Sequence, residues 1–150
     1  MSIKKPKPVI EYRNYYLPSS FPVLLLTGDN WKISDVKSEH LHFHNCLEVG
    51  ICHSRSGILE FCNAMTMPFS EGDVTCIPRN IPHTTYSAPC TKSRWSYLFF
   101  DPRQLFRDML PPDFSYSMIY DDVHKYLIPA GLSRRIPLLA DAAVEELSAE

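Results

Sequence analysis

The chain has no apolar run long enough to cross a bilayer. Its longest, Val23 to Leu26, falls far short of the roughly 20 residues a spanning helix needs. An amino-terminal apolar core with a small-residue cleavage site is missing as well, so neither secretion nor membrane insertion is expected. No Cys-x-x-Cys pair occurs among Cys46, Cys52, Cys62, Cys76 and Cys90. An odd number of thiols without that spacing, in a chain too long to depend on disulfide staples, reads as reduced and cytoplasmic. An excess of positive charge is lacking too: 15 Lys and Arg against 17 Asp and Glu leave a net charge of -2. That balance gives no field to draw nucleic-acid phosphate. The one basic cluster, Lys4, Lys5 and Lys7 around Pro6, reads as a solvated tail. Internal repeats and low-complexity tracts are absent.

What is there bounds the chain to one globular domain with a short appendage. The 150 residues are 45% hydrophobic and 21% charged, ordinary values for a soluble domain with a buried core. Residues 1–20 read as an amino-terminal arm. From Phe21 to Phe100, short β-branched and aromatic runs alternate with turn residues, the pattern of an antiparallel sandwich or barrel. Strands are expected over Val23–Thr27, Leu41–Ser54, Ile58–Cys62, Asp73–Ile77, His83–Ser87 and Arg94–Phe100. Thr27-Gly28-Asp29-Asn30, Arg55-Ser56-Gly57 and Ser70-Glu71-Gly72-Asp73 supply the residues that tight turns require.

The texture changes at Asp101-Pro102, an N-cap followed by a first-turn proline, and predicts a helix through about Met109 that Pro111-Pro112 ends. After an irregular stretch, a second helix is expected from about Pro137. Its apolar residues Ile136, Leu139, Ala140, Ala143, Val144 and Leu147 share one stripe. Packing on the barrel and formation of a homodimer are both open to that stripe. The helix reaches Glu150 without a Gly, Asn or Pro stop, from which a longer natural polypeptide is expected.

The chemistry concentrates in His42-Phe43-His44-Asn45-Cys46-Leu47-Glu48. In one strand of period two, His42, His44 and Glu48 project from the same face. A turn, a short strand and a Pro-bearing turn, Gly72 to Pro82, then deliver His83. Three imidazoles and one carboxylate suit a divalent transition metal, Zn, Ni, Fe or Mn, without choosing among them. The alternative is a metal-free polar lining that hydrogen-bonds an organic ligand. Tyr86 and Trp95 join those four as candidate ligand-binding residues, with core packing the default for the aromatics. His40, His53 and His124 read as surface or satisfied residues, and Cys46 and Cys52 as small apolar packing groups.

HxHxxxE followed by glycine, and then GDVxxxPxNxPH, resembles the paired motifs of the cupin superfamily, over roughly Leu41 to Ser87. The order of barrel, Arg94-to-Pro102 segment and helices is similar to the amino-terminal effector-binding half of AraC-family transcription regulators. The resemblance implies a mainly β, jelly-roll cupin barrel over 21–100, with a helical linker or dimerisation part over 101–150. It further implies a small-molecule effector, sugars among the plausible ones, and DNA contact only through a domain beyond residue 150. Two positions depart from the pattern: Asn80 replaces a usual glycine, a tolerable change because Asn accepts left-handed geometry, and Ser87 stands where enzymatic cupins often carry Asn. The rival expectation is a stand-alone metal-dependent cupin enzyme, an isomerase, dioxygenase or decarboxylase, with Glu60 and Tyr86 the nearest acid-base candidates. A storage or purely structural barrel is a third.

Overall fold

The computed structural model describes residues 9–117 and 125–149. Eleven strands run in chain order: β1 Val9–Arg13, β2 Val23–Leu26, β3 Lys32–Ile33, β4 His40–His44, β5 Leu47–Ser54, β6 Ser56–Phe61, β7 Thr66–Ser70, β8 Val74–Ile77, β9 His83–Ser87, β10 Ser93–Phe100 and β11 Leu127–Ile128. Two helices, α1 Pro102–Leu105 and α2 Arg135–Ser148, complete the described structure.

The strands form two sheets, ordered β1-β4-β9-β6-β7 and β11-β8-β5-β10-β2, with β3 also pairing β10. Every pairing is antiparallel except β1 with β4. The fold is therefore mainly β, a two-sheeted barrel with a carboxy-terminal helix, as expected. The longest ladder, β5 on β10, sets Glu48 beside Phe99 and Gly50 beside Tyr97.

Four departures from the sequence expectations matter. The expected strand Leu41–Ser54 is broken at Asn45-Cys46, where the chain leaves one sheet for the other. The arm carries an unexpected strand, β1, which lies in register along β4. The helix expected through Met109 stops at Leu105, and turns follow. Gly57 is not the turn residue: Arg55 takes the positive φ of 70°, and Gly57 sits within β6.

Other local readings agree with the structure. The Asp101 side chain accepts from the Arg103 N–H at 2.9 Å ahead of Pro102, capping α1. Asn80 adopts a φ of 65°, the left-handed geometry it tolerates better than most residues. On α2, Val144 is buried and packs with Ile51 and Val74, flanked by Ile136 and Ala140, so this face covers the outside of the β5 sheet. Leu139 departs from the stripe and is 63% exposed beside Leu138. Lys4, Lys5, Lys7 and His124 lie outside the described residues.

The interior is aromatic at one end. Trp95 stacks on Tyr97 at 5.5 Å and meets Phe69 edge-on at 4.9 Å, within a cluster that holds Cys46, Cys52 and Phe99. Burial pushes the Cys52 thiol up to about 12 and that of Cys46 to about 11, so both are packed, protonated thiols at neutral pH. Ser87 is fully occupied by structure: its hydroxyl donates to the Ile33 carbonyl at 2.7 Å and accepts from the Ser93 N–H at 2.9 Å.

Candidate functional site

The break at Asn45-Cys46 changes how the site is assembled. His42 and His44 come from β4, and His83 opens β9 directly beside His42, all in one sheet. Glu48 comes from β5 in the facing sheet. The four residues therefore converge across the barrel interior rather than along one strand face. Ligand atoms of His42, Glu48 and His83 all lie within 4.8 Å of one another. His44 Nε2 sits 3.0 Å from Glu48 Oε2, and His83 Nε2 lies 3.6 Å from the same oxygen.

Backbone carbonyls orient two of the rings. His44 Nδ1 lies 2.8 Å from the Cys46 carbonyl and His83 Nδ1 lies 2.8 Å from the Ile81 carbonyl. A carbonyl only accepts, so both Nδ1 atoms carry hydrogen and donate. In the neutral tautomer each Nε2 then turns a lone pair toward Glu48, the arrangement that outer carbonyls impose on metal-ligating histidines. Two acceptors 3.0 Å apart need a shared proton or a cation between them.

Electrostatics follow the same geometry. Burial raises the Glu48 carboxyl, but His83 and His44 together outweigh it and hold the group below the usual carboxylate range. Burial, reinforced by His83, pulls His42 down to about 3 and keeps it neutral, the form that ligates metals, at physiological pH. Burial also pushes the Tyr97 hydroxyl well above 10, and Glu48 adds to the shift. The donor set thus fits a divalent transition metal chemically.

Above this floor opens a cavity of about 230 Å³. Its polar walls are His40, His42, Glu48, His83, Thr84, Thr85 and Ser38, and its apolar walls are Leu26, Trp31, Ile33, Tyr97 and Phe99. Arg13 and Tyr15 close it from the amino-terminal segment. Tyr15 is pinned there by a reciprocal pair with Asn45: its N–H donates to Oδ1 at 2.8 Å and its carbonyl accepts from Nδ2 at 3.0 Å. Its ring stacks on Phe99 at 4.1 Å.

His42, Glu48 and His83 therefore line the cavity, and His44 lies buried behind Glu48. Tyr86 and Trp95 do not line it. Tyr86 points away, donating to Glu60 Oε2 at 3.4 Å beneath the Lys37 ammonium. Trp95 is buried between Phe69 and Tyr97, its indole N–H donating to Ser93 Oγ at 2.9 Å. Glu60 pairs with Lys37 and also stands outside the cavity. His53 is a satisfied residue bonded to Ser96 Oγ at 2.7 Å, and His40 is exposed, as read, at the cavity mouth. Sequence reasoning missed Arg13, Tyr15 and Trp31 as lining residues, and left Tyr97 and Phe99 between core and pocket wall with core the default. The two-residue alternation of β10 carried a signal for Tyr97 and Phe99; nothing local marked Arg13 or Tyr15.

No protein-family model matches the sequence, and no curated protein does. Among solved structures, an apo variant of ToxT from Vibrio cholerae is similar over 88% of this chain and 49% of that one, at 14% identity and a TM-score of 0.52. At that identity the likeness is one of fold alone. A cupin 2 conserved barrel domain protein from Salinispora arenicola matches 61% of this chain and 85% of its own, at 17% identity and a TM-score of 0.44. A single-residue variant of the oxalate decarboxylase of Bacillus subtilis matches 72% and 26%, at 18% identity and a TM-score of 0.35. The chain spans about half the length of ToxT. No helix among the described residues is long and apolar enough to cross a membrane.

Proposed function

We propose that this chain is the small-molecule-sensing domain of an AraC-type transcription regulator, with the effector bound in the barrel cavity. One observation carries the reading: the cavity whose floor is the His/Glu cluster is walled on another side by Arg13 and Tyr15 of the amino-terminal segment. Every residue of β1 is exposed, so that segment is held by its ladder to β4 and by Asn45 rather than by burial. Segments with little buried surface are the ones that open at low cost. A ligand that touches Arg13 and Tyr15 binds the docked arrangement better than the undocked one, which is the differential affinity a sensor requires.

The cavity lies just below the usual range of about 300–1,000 Å³ for ligand pockets, which favours a small effector. Neutral His42, with His83, Glu48, Tyr97 and two threonines, offers mixed donors and acceptors against aromatic walls, a lining suited to a hydroxyl-rich solute such as a sugar. DNA contact belongs to a separate domain, and a homodimer in the cytoplasm is the working form. Calorimetric titration of a panel of monosaccharides and small hydroxy acids tests the site. Saturable binding by a panel member, weakened at least tenfold in His42→Ala, is the expected result. A panel without a binder, or binding indifferent to His42, contradicts it.

A divalent metal on the same floor is a second reading, favoured by the two carbonyl-fixed imidazoles that face Glu48. Elemental analysis of the untagged, chelator-free protein should find near-stoichiometric Zn, Ni, Fe or Mn, absent from the His42→Ala/His83→Ala variant. A metal-dependent enzyme is disfavoured by the placement of its acid-base candidates, since Glu60 and Tyr86 stand outside the cavity.

A further inference from the structure

We infer that β1 is a self-association surface, through which two copies of this chain pair antiparallel, edge to edge, about a two-fold axis at Tyr12. Sheet edges attract other strands unless something blunts them. The far edge of the same sheet, β7, carries Pro68 at its centre, which has no N–H to give. In the other sheet the edge strands are short: β11 has two residues and β2 four. β1 is different among the described residues, with five residues, Val-Ile-Glu-Tyr-Arg, and neither proline, lysine nor bulge. Val9, Ile10 and Tyr12 are 59%, 46% and 52% exposed.

The charges of β1 select the partner and the register. Tyr15 turns both its N–H and its carbonyl inward to Asn45. By the alternation of an extended chain, Arg13, Glu11 and Val9 turn theirs toward β4, and Ile10 and Tyr12 present theirs at the open edge. An antiparallel partner must then oppose even-numbered residues to even-numbered ones. Centring on Tyr12 sets Tyr12 against Tyr12 and places Glu11 of each copy opposite Arg13 of the other. A slip one way opposes Glu11 to Glu11, and a slip the other way opposes Arg13 to Arg13. Opposite charges across a ladder stabilise and like charges destabilise, so the strand is complementary to itself in one register only. An interface that opposes a residue to its own copy is isologous and closes as a dimer. The Glu11–Arg13 bond within one chain, at 3.0 Å, exchanges for two between chains.

Sedimentation velocity over a concentration series, on the parent and on E11R, R13E and the E11R/R13E swap, tests this pairing. The parent should dimerise. Each single reversal sets like charges opposite at both symmetry-related sites and should raise the dimer dissociation constant about tenfold. The swap should restore it. Tyr12→Pro, which removes an edge N–H not used by β4, should give a monomer whose circular dichroism matches the parent. A parent that stays monomeric, or a dimer indifferent to E11R and to Tyr12→Pro, as one built on α2 would be, overturns the inference.

Discussion

Replacing Glu48 with Gln keeps the side chain's shape and one acceptor oxygen but removes the charge on which the site is organised. The carboxylate is 5% exposed, with His44 Nε2 at 3.0 Å and His83 Nε2 at 3.6 Å. A hydrogen bond to a charged group contributes about 1.5–3 kcal/mol and a neutral one about 0.5–1.5, so losing charge assistance at His44 costs about 1–2 kcal/mol. For a domain of this length, that is a fall in Tm of roughly 2–8 °C at pH 7. The pH dependence fixes the cause. Glu48 has a folded pKa below its unfolded value, so its contribution is complete above about pH 4.3, the unfolded carboxyl value, and drains away as pH falls toward the folded value. Glu48→Gln lacks that acid limb. Differential scanning calorimetry of the chelator-treated proteins between pH 7 and 3 should show two Tm curves that converge in acid. A gap that widens on acidification, or no gap at pH 7, refutes the charged pairing of Glu48.

Three other perturbations probe separate parts of the account. His42 is neutral in the folded state, with its pKa pulled to about 3, whereas unfolded His42 binds a proton below about pH 6.5. Stability therefore falls from pH 6.5 toward 3, by up to about 1.4 kcal/mol per pH unit from this group, and His42→Gln should flatten that slope in urea titrations. Asn45→Ala removes both bonds to Tyr15 and should lower hydrogen-exchange protection of the Val9–Arg13 amides about tenfold while the β5–β10 ladder stays protected. In Gly57→Ala, the new methyl meets the Tyr86 carbonyl oxygen and stands 2.7 Å from Ser87 Cα. A loss of about 1–3 kcal/mol by chemical denaturation is expected, and an unchanged midpoint would show that β6 and β9 part easily.

Much of the barrel was legible in the sequence because its strands are local and alternate cleanly: His83–Ser87 is observed with the expected bounds, and Val23 and Phe100 are strand ends as read. The four donors were legible as types in order. How they meet was not, because residue parity is blind to a chain that changes sheets, as this one does at Asn45-Cys46. The parity argument grouped His42, His44 and Glu48, but the grouping arises from two facing sheets. β1 escaped notice because its parallel partner β4 is distant in sequence and its own residues are exposed, so no burial alternation marks it. Leu139 was misread for a related reason: helical spacing assigns a stripe its neighbours, but the barrel surface covers only the Ile136, Ala140 and Val144 side.

Hydrogen exchange of the Val9–Arg13 amides, with and without a saturating ligand from the panel, addresses the central claim most directly, because it asks whether filling the cavity is felt by the segment that walls it. The account predicts slower exchange in β1 on binding, with the Asn45→Ala variant responding less. Saturable binding that leaves the exchange of β1 unchanged would contradict it, separating the cavity from the arm and removing the physical basis for a sensor.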